Sequence, residues 1–71
     1  MNRTSWERML KKFSNSIGVG REVHVIFRTT RSVAYGLIKE IDEEFLVLEE
    51  KDGSGISAIV ELDEIAGFRT S

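Results

Sequence analysis

The sequence predicts a mainly β protein, with one N-terminal α-helix followed by a small, strongly bent, five-stranded antiparallel barrel of the Sm-like or SH3-like shape. Three observations lead there. Apolar residues recur at three- and four-residue steps only as far as Ile17. From Glu22 onward they alternate with period two, and turn-forming clusters cut that stretch into five short runs. The 71 residues are expected to form a single domain, 1–71, with the helix at 5–16 and the barrel at 22–70.

Thr4 and Glu7 have the spacing of a capping box, which starts the helix. Trp6, Met9, Leu10, Phe13 and Ile17 form its apolar stripe, and Arg8, Lys11 and Lys12 fall on a basic outer face. Gly18-Val19-Gly20 ends it. In the first strand Val23, Val25 and Phe27 point one way and His24, Ile26 and Arg28 the other; Thr29 to Ser32 is a turn. Val33 to Ile41 makes the second strand, with Ala34, Gly36 and Ile38 on one face and Val33, Tyr35 and Leu37 on the other. Glu44 to Glu50 makes the third, and Lys51 to Gly55, with its Asp-Gly pair, is a turn. Ile56 to Leu62 makes the fourth, placing Ile56, Ala58, Val60 and Leu62 together, and Ile65 to Thr70 the fifth. Gly36 lies inside a strand, where glycine marks a bend or a close backbone approach. Five strands close on themselves only if one bends sharply, so Gly36 is assigned that bend.

Size and charge narrow the function. A chain this short hides only about 60% of its unfolded surface and needs a staple. Cysteine is absent, which excludes disulfides and zinc–thiolate sites, and the lone His24 makes no metal site within one chain. No cofactor is implied, and self-association is the staple that remains. No apolar run is long enough to span a membrane and the start lacks a signal-peptide core, so a cytoplasmic protein is expected. The net charge of −2 hides a strong polarity. Residues 1–39 carry eight Lys and Arg against Glu7 and Glu22, whereas residues 40–64 carry ten acids against Lys51.

Gly36-x-Ile38-x-x-Ile41-Asp42, followed by an apolar run to Leu48, resembles the first Sm motif of the Sm-like (LSm) family, most of all its bacterial RNA-chaperone branch, Hfq. Ile56 to Ile65 is similar to the fourth strand and following turn of that family, and the helix is placed alike; the resemblance covers roughly residues 6–70. It implies a homo-oligomeric ring, a hexamer or heptamer, in which the fourth strand of one subunit pairs with the fifth of the next. It also implies that the Asp42 side chain holds the backbone of its loop.

The departures fall on the family's uridine site. The resemblance places Glu61, Leu62 and Asp63 where the Hfq branch has Tyr-Lys-His, and Glu43 and Glu44 where it has Gln-Phe. Round a ring, Glu43, Glu44 and Asp63 would form an acidic pore-side cluster. A carboxylate 4 Å from a phosphate at an effective dielectric of 20 is repelled by about 4 kcal/mol, so uridine binding in the usual place is not expected.

Candidate nucleic-acid-binding residues are therefore Arg8, Lys11 and Lys12, with Arg3 nearby, and Arg28 and Arg31 flanking a turn whose Thr29, Thr30 and Ser32 add hydrogen-bond donors. Both groups also read as solvated charge: the helix face lacks interleaved exposed aromatics, and for Arg28 and Arg31 turn solubility is the better reading. Tyr35 reads either as a base-stacking platform or as a subunit contact. The acidic set Asp42, Glu43, Glu44, Asp63 and Glu64 suits a basic protein segment, but its spacing matches no calcium loop. No nucleophile elbow or phosphate-binding glycine loop is present, so no catalytic residue is assigned. Three readings result: a noncatalytic Sm-like ring associated with RNA through basic surfaces, a protein-binding scaffold without nucleic acid, and a stand-alone SH3-type barrel.

Overall fold

The computed structural model describes residues 2–15 and 20–70. Ser16, Ile17, Gly18 and Val19, where the end of the helix and most of its glycine turn were expected, lie outside them. Helix α1 spans Arg3–Ser14. Its N-cap is Asn2 rather than Thr4: the Asn2 side chain accepts from the Ser5 N–H at 2.9 Å, and its carbonyl accepts from the Trp6 N–H at 3.0 Å. Asn is at least as strong an N-cap as Thr, and lying upstream it starts the helix first. Trp6 and Leu10 are buried, while Met9, expected in the same stripe, is 39% exposed at the margin of the packed face.

Five strands follow: β1 Val23–Phe27, β2 Val33–Ile41, β3 Phe45–Glu49, β4 Ile56–Glu61 and β5 Ile65–Thr70. A 3-10 turn, Leu62–Glu64, joins β4 to β5. The sheet is antiparallel throughout, in the order β4-β3-β2-β1-β5. The mainly β class with a leading helix is thus the one the sequence predicts. The closed, strongly bent barrel is not formed: β4 and β5 are the two edges of an open sheet, and among the described residues no ladder joins them. Closure is replaced by the helix. Trp6 and Phe13 both meet the ring of Phe68 on β5 edge-on, with centroids 6.1 and 5.4 Å apart. Trp6 and Leu10 complete a core of Val23, Val25, Leu46, Leu48, Val60, Leu62 and Ile65.

The long strand β2 carries the topology. Its first half pairs with β1, Ala34 opposite Val25, and its second half with β3, Ile38 opposite Leu48. Leu37 begins the β3 ladder, and Gly36, opposite Val23, is the last β2 residue of the β1 ladder. A Cβ there would lie 2.6 Å from the Glu49 carbonyl oxygen and 3.1 Å from the Leu48 Cβ, so this glycine permits the close approach its mid-strand position implied.

One strand face differs from the sequence reading. Ile56 is 47% exposed instead of joining Ala58 and Val60 in the core. Leu48 pairs with Ala58 but Glu49 pairs with Ile56, so Ser57 is an inserted residue and the alternation breaks there. The Ser57 hydroxyl donates to the Tyr35 carbonyl at 2.5 Å, tying β4 to β2. Leu62 is fully buried, although in the 3-10 turn rather than in β4. No described helix is long and apolar enough to cross a membrane.

Candidate functional site

The turn between β2 and β3 and the 3-10 turn after β4 meet. The Leu62 N–H donates to the Glu44 carbonyl at 2.9 Å, which sets the turn that carries Glu43 and Glu44 against the one that carries Asp63. Asp42 accepts from the Glu43 N–H at 2.6 Å through its carboxylate and donates its own N–H to the Phe45 carbonyl at 2.8 Å, closing the first turn. Two clefts flank the cluster. One is lined by Arg3, Thr4, Glu7, Glu43 and Glu44, the other by Arg3, Glu44, Phe45, Glu61 and Asp63.

Arg3 is common to both clefts, and its guanidinium lies 3.5 Å from the Asp63 carboxylate. Both side chains are more than half exposed, so the pair stabilises the fold little. Its consequence is local: the acidic cluster contains one cation, delivered by the first turn of α1. Sequence spacing gave no signal of this contact, because 60 positions separate the two residues and only the docking of α1 brings them together. Among the described residues, no group of three or more His, Asp or Glu side chains could hold a metal ion.

The basic candidates occupy two separate elements. Arg8, Met9, Lys12 and Ser5 line a shallow groove along the outer face of α1. Lys11 lies beside that groove but is bonded to Glu7, one helical turn back, at 2.9 Å. Arg28 and Arg31 are both exposed in the β1–β2 turn, and Arg31 takes the left-handed conformation, φ 61°. The hydroxyls expected there as extra donors are engaged within the protein. Thr29 donates to the Glu64 carboxylate at 2.8 Å, and the Thr30 and Ser32 hydroxyls bond each other at 2.6 Å. The Arg28 N–H also donates to the Glu64 carbonyl, so the Glu64 carboxylate, held by Thr29, sits against the turn that carries Arg28 and Arg31 and offsets the pull of that turn on a phosphate.

A third surface emerges on the sheet face turned away from the core. Tyr35 on β2 lies opposite His24 on β1, and His24 lies opposite Arg69 on β5, a row across three strands. The Tyr35 and His24 rings meet edge-on at 5.0 Å, and Tyr35 is 55% exposed. Both His24 ring nitrogens are buried without a hydrogen-bond partner; the Glu22 carboxylate stands 3.4 Å from Nε2, within ion-pair range but not in hydrogen-bond geometry. The pairing of Tyr35 with His24 was legible in principle. Once the turn brings Phe27 and Ser32 together, a regular antiparallel register sets position 24 against position 35.

In the β3–β4 turn, hydrogen bonds from the Ser54 side chain and backbone hold the Asp52 carboxyl below its ordinary value of 3.8. This stiffens a turn remote from the surfaces above. Comparison with protein-family models, with curated proteins and with solved structures finds no match to this chain.

Proposed function

We propose that the chain is a noncatalytic Sm-like binding module that assembles with copies of itself through its two sheet edges and associates with RNA through basic surfaces rather than through a pore-side uridine site. The observation that supports it is the strand order, which leaves β4 and β5 unpaired at opposite edges of one sheet. Unpaired edges are templates for another strand. Two different edges on one protomer make a heterologous contact, which closes into a ring when the rotation per subunit divides the circle. β4 also shows Ile59 at 66% exposure, a large apolar group that a neighbouring copy would cover.

The acids Glu43, Glu44, Glu61 and Asp63 gather round a single arginine, which supports placing RNA elsewhere on the surface. A second reading, a protein-binding scaffold without nucleic acid, is favoured by one observation: Glu64 and the internally bonded hydroxyls of the turn that carries Arg28 and Arg31 weaken it as a phosphate site. Solution mass and bound material test the proposal together. Light scattering is expected to give about 49 kDa for six copies of the 8.1 kDa chain, or proportionally more for seven, with RNA binding that weakens steeply with salt. A mass of 8.1 kDa would overturn the ring, and failure to bind any RNA at low salt would leave the protein-binding reading.

A further inference from the structure

We infer that the row Tyr35–His24–Arg69 on the outer face of β2, β1 and β5 is a stacking platform for a base of single-stranded nucleic acid. This rests on the RNA reading above and moves its principal site from the helix and the hairpin turn to the sheet. Each member of the row suits the task. Tyr35 is an aromatic ring more than half exposed in mid-strand, so much of its surface is open to a ligand. The His24 ring, at 5.0 Å and an interplanar angle of 67°, buttresses the tyrosine from one side. Arg69, exposed on the adjoining edge strand, stands two strands from Tyr35, roughly 10 Å away at the usual strand spacing. A guanidinium at that range contacts a phosphate next to the stacked base, or stacks on a second base.

The charge of the surroundings also favours a polyanion. Arg21 is exposed just before β1, and the acid at this row is Glu22, beside His24. The larger acidic groups belong to the β2–β3 turn and the segment Glu61–Glu64, and none of their residues pairs across from Tyr35, His24 or Arg69. Val33, 37% exposed, lies two residues from Tyr35 on the same face of β2, so it is the exposed Arg69 and Arg21, not a lack of aliphatic surface, that favour a polyanion over an apolar protein partner. The ligand must be single-stranded, since a base within a duplex has no free face to lay on the ring.

The test is fluorescence anisotropy with dye-labelled oligouridine and oligoadenine strands of roughly 15 nucleotides, at about 50 mM salt. Tyr35→Ala is expected to weaken binding about ten-fold, while Tyr35→Phe, which keeps the ring, stays close to the unmodified protein. Arg69→Ala is expected to weaken binding and to reduce the salt slope by about one. Emission from the buried Trp6 and the thermal midpoint report whether each variant is folded. If Tyr35→Ala binds like the unmodified protein while the Arg28→Ala/Arg31→Ala double variant fails, the platform is refuted and the RNA reading survives. If the unmodified protein binds neither strand, both are refuted.

Discussion

Gly36 shows how one missing side chain shapes the sheet. It stands where β2 passes from the β1 ladder to the β3 ladder, and a methyl group there would meet the Glu49 carbonyl oxygen at 2.6 Å. A backbone oxygen cannot swing aside as a side-chain tip would, so β2 or β3 must move. Gly36→Ala is expected to destabilise the protein by about 1–3 kcal/mol, the usual range for overpacking. Urea denaturation measures it as a lower midpoint at unchanged slope. A midpoint equal to that of the unmodified chain would show that the sheet has slack at this crossing. The opposite case is Gly67 on β5, where an added Cβ meets nothing within 4 Å; no steric cost attaches to that position.

The elements show what could and could not be read from residue order. All five strands were legible because apolar residues alternate within them and Thr29–Ser32 and Lys51–Gly55 punctuate them; β2 and β5 have the predicted limits. The inserted Ser57 was not legible, since a bulge is set by the partner strand, and so Ile56 was assigned to the wrong face. The start of α1 was displaced because Asn2 and Thr4 are both competent caps. Its packed face can be tested by two neighbouring residues that periodicity treated alike. Leu10 is wholly buried and Met9 is 39% exposed. Leu10→Ala is expected to cost about 2–5 kcal/mol, with loss of the transfer term plus a cavity. Met9→Ala, at an exposed helical position, is expected to stay within about 0.5 kcal/mol. Similar losses from both would mean that α1 is rotated from the orientation described. The candidate site was legible as composition only. The Glu44 carbonyl meets the Leu62 N–H next to Asp63, but the Arg3 that pairs with Asp63 depends on where α1 docks.

At the scale of the molecule, the open sheet decides how copies can meet. β4 and β5 differ in sequence and lie at opposite edges, so a ring contact must use one of each. That heterologous geometry has a consequence which a face-to-face or a twofold contact lacks. Ile59→Lys places a charge on β4 at a position 66% exposed, so the protomer should fold while the edge is blocked. Ala66→Lys does the same on β5, where Ala66 is exposed. Each variant alone is expected to sediment as an 8.1 kDa protomer. Each nevertheless keeps one sound edge, β5 in the first and β4 in the second. Mixed in equal amounts, they are expected to form a two-chain species of about 16 kDa, because one good β4 meets one good β5 and the remaining edges are both blocked. A contact of β4 with β4 would instead be abolished by Ile59→Lys alone and left whole by Ala66→Lys, with no gain on mixing. Variants that both retain the mass of the unmodified protein would remove the sheet edges from the assembly altogether, and with them the physical basis for a ring.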